Sequence, residues 1–203
     1  MTLSNDFTEK TIDPDPFVQF KSWYSEHLTT GIAIPEAVTL ATSAKDGKVS
    51  ARTVLLKGYN ENGFVIYTNY NSRKGSQLLS NPFAALLFYW PESGRQIRIE
   101  CITEKVGYKD SESYFKTRPK ESQLSAWASE QSKVIQSRQY LENRYDLYKN
   151  RYSEKPVDKP QHWGGFLLIP EWFEFWQERK FRLHDRLVYT KRENLWVIER
   201  LAP

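Results

Sequence analysis

At 203 residues, with 39% hydrophobic and 15% aromatic side chains, the chain has the apolar content for one domain with a sizeable core. Its net charge of +4 is too mild to imply nucleic acid and suits anionic small ligands. The single cysteine, Cys101, rules out an intrachain disulfide framework and a cysteine-rich zinc site, and the three histidines, His27, His162 and His184, are too scattered to suggest a metal centre. The opening residues MTLSNDFTEK carry acids and no apolar signal core, and no apolar run approaches membrane-spanning length. A cytoplasmic location, without membrane or nucleic-acid partners, is the expectation.

Residues 1–13 are polar and read as a loose arm, leaving 14–203 as the folded domain. Pro14 and Pro16 punctuate a helix start, and Phe17, Phe20, Tyr24 and Leu28 recur at helical spacing. The pattern then turns to β, with strands expected at 37–43, 48–57, 63–69, 83–90 and 95–106. Lys45-Asp46-Gly47-Lys48 and Asn60-Glu61-Asn62-Gly63 are turn-forming separators, and such short connections favour antiparallel neighbours. A short helix interrupts the strands at Ser72–Leu79, with Asn71 or Ser72 as its N-cap. Residues 110–152 read as two or three helical pieces broken near Pro119, with Leu141, Tyr145 and Tyr148 as a packing stripe. Ser153–Gln161, with Pro156 and Pro160, reads as a loop. Strands follow near 163–169, 172–177, 184–190 and 195–200. The fold class expected is α+β, mainly β: an antiparallel β-barrel with peripheral helices.

Several clusters could carry chemistry. In an extended strand, Arg182, His184 and Arg186 would line one face, two guanidiniums beside an imidazole, which calls for something anionic or electron-rich against them. A solvated, salt-bridged edge strand is the competing reading. Arg73 and Lys74 stand in the first turn of a helix, against the macrodipole, unless an anion sits at that terminus; both side chains could also simply extend into water. Arg52 and Lys57 bracket an apolar strand, and their separation puts them on opposite faces of a regular strand, so one site could use both only with a bulge, a bend or a second subunit. Gln96, Arg98 and Glu100 share a polar face, where Arg98–Glu100 pairing competes with a heterocycle-binding role for Gln96. Tyr114, Arg118 and Ser122 fall at four-residue spacing and could form a second phosphate pocket, although Pro119 argues for a helix end at Arg118. No dinucleotide fingerprint, P-loop, HExxH or nucleophile elbow is present, a profile that suits an enzyme with a borrowed phosphorylated cofactor.

Taken together, Arg52–Lys57 (RTVLLK), Tyr67–Asn69 with Ser72–Lys74, Arg95-Gln96 with Arg98, Tyr114–Ser132, Trp163–Phe166 (WGGF), Glu174–Gln177 (EFWQ), Arg182–Arg186 (RLHDR) and the closing Arg200–Pro203 (RLAP) resemble the pyridoxine 5′-phosphate oxidase family, also called pyridoxamine-phosphate oxidase. The likeness runs from about residue 14 to the last. It implies an FMN-binding split β-barrel working as a homodimer, with FMN in clefts between the subunits. It assigns FMN binding to Arg52, Thr53, Val54, Leu55, Leu56, Lys57, Tyr67, Thr68, Arg73, Lys74, Gln96, Gln131, Ser132, Trp176 and Arg186. It assigns the substrate phosphate to Lys57, Tyr114, Arg118 and Ser122, and sets Arg182 and His184 over the substrate ring as catalytic residues. The activity implied is oxidation of pyridoxine 5′-phosphate and pyridoxamine 5′-phosphate to pyridoxal 5′-phosphate, with O2 as acceptor and H2O2 as product. Glu178, Ser125 and Cys101 stand where glycine is common in the family and Gly75 where alanine is common, and the N-terminal arm lacks a basic, tyrosine-containing segment. A flavin or pyridoxal-phosphate carrier and another split-barrel flavin enzyme, such as a flavin reductase, are the competing classes.

Overall fold

A computed structural model describes residues 7–193 and 195–203. Helix α1 (Pro16–Leu28) opens with proline in its first turn and with Asp15 as N-cap, whose carboxylate accepts the Phe17 N–H at 2.8 Å. Its buried face carries Phe20, Trp23, Tyr24 and His27; Leu28, expected in the apolar stripe, is exposed. Phe20 meets the rings of Phe64 and Phe88 at 4.8 and 5.1 Å, and Trp23 meets Phe175 at 5.3 Å. The helix therefore packs across side chains from several strands of a sheet. Burial of a Phe20-sized side chain stabilises the fold by about 1.5–3 kcal/mol.

The sheet is antiparallel throughout. Its strands are β1 (Ala37–Ser43), β2 (Val49–Leu55), β3 (Gly58–Asn60), β4 (Gly63–Asn69), β5 (Phe83–Trp90), β6 (Arg95–Lys105), β7 (Trp163–Gln177), β8 (Asp185–Arg192) and β9 (Leu195–Arg200). The order is β2-β1-β5-β6-β7-β4-β3, with β8 also on β7 and β9 on β8. The division of the sheet happens within β7. Residues 163–168 pair with β4 on the edge away from β6, and residues 172–177 pair there with β8. The sequence pattern predicts two separate strands in this region. They form one because β6 runs alongside both halves, with a register shift that leaves Glu171 unpaired as a bulge. Pro170 sits where neither β4 nor β8 is paired, a place that tolerates a missing N–H. The three-residue strand β3 is too short to show a period in the sequence.

The helical region divides into α3 (Tyr108–Thr117), α4 (Lys120–Ala128) and α5 (Arg138–Arg151), after α2 (Arg73–Ser80) between β4 and β5. Phe115, Leu124, Tyr152, Val157 and Trp163 form a second, smaller core under α3 and α4. Tyr145 and Tyr148 of α5 are half-buried against it. The first six residues of the expected arm lie outside the described residues. Within 7–13, Phe7 packs on Trp23, Ile12 is buried, and Glu9 pairs with Arg200. Among the described residues, no helix is long and apolar enough to cross a membrane.

Candidate active site

A cavity of about 590 Å³ opens where β2 and β4 meet α3 and α4. Thr53, Val54 and Leu55 of β2 line it, with Lys57 just beyond. Tyr67, Thr68 and Asn69 come from β4, Lys74 from α2, Tyr114 from α3, Ser122 and Ser125 from α4, and Arg118, Gln131 and Trp163 complete it. Helix α3 ends at Thr117 and Arg118 caps it in extended conformation. Tyr114, Arg118 and Ser122 thus converge across a helix break rather than along one helix face.

The cations here have few anionic partners. Arg118 lies over the Trp163 ring at 4.6 Å, and its Nη1 is buried without a hydrogen bond among the described residues. Burial lowers its pKa, and no described carboxylate pairs with it. An anion reaching a guanidinium held this way would offset its desolvation cost. Lys57 touches Glu36 at 3.4 Å. The Lys74 Nζ donates to Thr68 Oγ1 and Gln131 Oε1, at 3.1 and 3.3 Å. Burial, then the charge of Arg52, pulls its pKa below the ordinary lysine value. Arg52 donates to Leu40 O, Thr42 Oγ1 and Ser50 Oγ, all neutral acceptors; burial and then Arg73 lower its pKa. Helix α2 is N-capped by Ser72, has no acid in its first turn and begins with Arg73 and Lys74. Its terminus is therefore positive by dipole and by side chain alike.

The expected site residues fall into two groups. The cavity gathers Thr53, Val54, Leu55, Lys57, Tyr67, Thr68, Lys74, Tyr114, Arg118, Ser122 and Gln131. Arg52, Leu56, Arg73 and Ser132 adjoin these in sequence without lining it. Lys57 escapes the alternation that would oppose it to Arg52 because β2 has ended at Leu55. Gln96, Trp176, Arg182, His184 and Arg186 are elsewhere. Directly paired residues share a sheet face, so Gln96, Trp176 and Arg186 stand in one row across β6, β7 and β8. β7 neighbours β4, so the separation of these residues from the cavity runs along the strands rather than across them. Along β7, Trp176 is far from Gly165, the partner of Tyr67. A single chain keeps the two groups apart.

Arg182, His184 and Arg186 do not line one strand. Phe181 and Arg182 have φ of 59° and 60°, and β8 begins only at Asp185. Two successive left-handed residues cannot continue a strand. They close a turn in which Leu183 N–H donates to Lys180 O, and Arg179 N–H donates to His184 Nδ1 at 3.1 Å. Asp185 holds both Arg179 and Arg200, each at 2.6 Å. His184 rests against Trp176, with ring centroids 4.6 Å apart. Arg182 is exposed, and Arg186 donates to Glu174 and to Ala202 O.

Sequence reasoning assigns no role to Glu174, to the wall residue Trp163 or to Glu36. Glu174 and Trp163 sit inside the EFWQ and WGGF motifs without any signal of burial, and no pattern in the chain points to Glu36. Of the departures from the family pattern, Ser125 lines the cavity and donates to Glu121 O. Cys101 is a buried core thiol whose pKa burial raises, and Glu178 is exposed.

Residues 25–151 match the family described as pyridoxamine 5′-phosphate oxidase. The chain belongs to this family. Residues 163–203 match the pyridoxine 5′-phosphate oxidase C-terminal dimerisation region, the segment that carries Trp176, Arg182, His184 and Arg186. A pyridoxine/pyridoxamine 5′-phosphate oxidase from Gloeothece citriformis is 52% identical over 97% of this chain and 92% of its own. One from Burkholderia multivorans is 51% identical over 94% and 90%. Among solved structures, PhzG from Burkholderia lata, in complex with tetrahydrophenazine-1-carboxylic acid, superposes with a TM-score of 0.92 at 26% identity, covering 100% of both chains. A pyridoxamine 5′-phosphate oxidase-related, FMN-binding protein from Nostoc punctiforme shares the fold, with a TM-score of 0.74 at 16% identity over 94% of this chain and 100% of its own.

Proposed function

We propose that this chain oxidises pyridoxine 5′-phosphate and pyridoxamine 5′-phosphate to pyridoxal 5′-phosphate, working as a cytoplasmic homodimer with FMN and O2. The alcohol and O2 give the aldehyde and H2O2; the amine with O2 and water gives the aldehyde, ammonia and H2O2. The observation that carries this is two sets of cations short of carboxylates, Arg118 with Lys57 (whose carboxylate partner is Glu36) in the cavity wall, and Lys74 in the wall with Arg73 and Arg52 beside it. Two phosphate groups, one on the cofactor and one on the substrate, account for both.

The residues present fit a flavin mononucleotide. Arg73, Lys74 and the α2 N-terminus suit its phosphate, and Thr68 and Gln131 are hydrogen-bonding groups at the same Lys74 ammonium. When bound, the flavin supplies the two-electron acceptor that O2 restores. The protein supplies grip and orientation. Arg118 and Lys57 hold the substrate phosphate, with the Tyr114 and Ser122 hydroxyls as further donors. Burial raises the Tyr114 pKa, so its hydroxyl stays protonated and donates. Trp176, Arg182, His184 and Arg186 reach this cavity from a second copy of the chain, consistent with their place in the dimerisation region. Because His184 Nδ1 accepts the Arg179 N–H, the neutral ring carries its proton on Nε2. His184 therefore orients the substrate as a donor, beside the Arg182 guanidinium.

The test is anaerobic mixing of FMN-loaded protein with pyridoxine 5′-phosphate. Bleaching of the flavin, reversed by air with pyridoxal 5′-phosphate formed, is the expected result. A flavin left oxidised by both phosphorylated substrates overturns the proposal. Bleaching by a partly reduced phenazine carboxylic acid instead would align the chain with PhzG.

A further inference from the structure

Glu174 is 1% exposed on β7. A carboxylate so buried needs partners on both oxygens. It has them: Oε1 accepts Arg186 Nε at 2.6 Å, and Oε2 accepts Arg98 Nη1 at 2.7 Å. Arg98 is its direct cross-strand neighbour on β6, and Arg186 is the diagonal one on β8. Arg186 Nη1 donates to Ala202 O at 2.9 Å, and Leu201 N–H donates to the Arg186 carbonyl. Two of the three guanidinium nitrogens of Arg186 are thus fixed by the protein. Its Nη2 has no hydrogen bond among the described residues, and the whole group stands in the row with Trp176 and Gln96. A planar guanidinium fixed at Nε on one side and at Nη1 on the other points its remaining Nη2 in a set direction.

We infer that Glu174, together with the Ala202 carbonyl, is a positioning residue that aims the free Nη2 of Arg186 at the flavin. Glu174 touches no ligand itself; it acts through Arg186, and the C-terminal Leu201–Pro203 segment closes the clamp from the opposite side. This rests on the proposed reading that Arg186 holds FMN.

The experiment is a double-mutant cycle on FMN affinity, read from quenching of flavin fluorescence by the apo-protein, with Glu174→Gln, Arg186→Lys and the two combined. Glu174→Gln weakens binding about tenfold, the size of one charge-assisted hydrogen bond. The double variant binds no worse than Arg186→Lys alone, because Glu174 has nothing left to aim. Additive losses would reduce Glu174 to a structural role and sink the inference. So would wild-type affinity in Glu174→Gln while Arg186→Lys is weakened. If Arg186→Lys itself binds FMN normally, the reading of Arg186 as a flavin residue fails instead. Should Glu174→Gln not fold, Glu174→Asp keeps the charge but withdraws it by one methylene. It passes through the same cycle, where non-additive loss supports the inference and additive loss overturns it.

Discussion

The rings of Tyr67 and Tyr114 stack 4.0 Å apart at 15°, joining β4 to α3. Trp163 continues the stack, 5.3 Å from Tyr67 at 8°, and Arg118 lies over Trp163. Three aromatic planes thus carry a half-buried cation at the wall of the cavity. Stacking and cation–π contact each contribute about 0.5–2 kcal/mol, enough to hold the guanidinium but not to replace an anion.

Arg118→Met keeps the length and packing of the side chain and removes the charge. Affinity for pyridoxal 5′-phosphate falls about a hundredfold with the loss of a charge-assisted, bidentate donor. FMN affinity stays as in the parent. The ligand-free variant gains about 1 kcal/mol of stability, because an unsatisfied buried donor is gone. Absorbance titration and denaturant unfolding measure the two effects, and equal loss of both ligands would remove Arg118 from the substrate phosphate.

Lys74 gives a pH dependence with a defined sign. Its folded pKa is lowered, so the fold disfavours the charged ammonium. The resulting destabilisation is present below the lowered value, and stability rises with pH between that value and the ordinary lysine range. An anionic ligand prefers the charged form, so FMN affinity falls over the same alkaline window. Lys74→Arg, which does not titrate there, flattens that fall. Fluorescence titrations from pH 7 upward decide it; an equally steep decline in Lys74→Arg excludes Lys74 as the titrating group.

Much of the fold is legible in the chain because local and global signals agree. Pro14 and Pro16 mark the start of α1, Ser72 caps α2, Arg95–Glu100 of β6 alternates cleanly, and β4 and β5 read as short apolar runs set off by turn and cap residues. What stays hidden depends on partners far along the chain. The unity of β7 across Pro170 is set by β6, and Leu28 gives way to Trp23 and His27 because the sheet fixes which side of α1 is covered. Around Arg182, the left-handed turn is held by Arg179, Asp185 and Arg200, contacts that the alternating charges of RLHDR do not reveal. The cavity is readable residue by residue, whereas the separation of Trp176 and Arg186 from it is a property of the topology.

The described part of the N-terminal arm is tied down by a fork-to-fork pair: Arg200 donates to both Glu9 oxygens, at 2.8 and 2.9 Å. That bond holds the Glu9 carboxyl at about 2, below its ordinary value. A depressed acid contributes stability that is full above the unfolded pKa and is lost as pH falls through the folded one. Both side chains are well exposed, so solvent screening limits Glu9→Gln to a cost of about 0.5–1 kcal/mol at pH 7. The difference between parent and variant shrinks between pH 4.5 and 2. Urea unfolding along that range measures it; a difference that persists below pH 2 assigns the effect to packing rather than charge.

The proposed reading, in which one chain's cavity is completed by the dimerisation segment of a second copy, makes a sharper prediction. Arg118→Ala inactivates a cavity, and His184→Ala inactivates the group on the dimerisation segment. In a mixed dimer carrying one variant in each chain, one composite site contains both lesions and the other contains neither. Co-expressed, differently tagged chains should therefore yield a mixed dimer with about half the activity of the parent, from two inactive homodimers. If each site were built within one chain, every site of the mixed dimer would carry a lesion and no activity would return. Tandem affinity purification and a steady-state assay suffice, and recovery in the mixed dimer alone is the signature of a site assembled from Arg118 of one copy and His184 of the other.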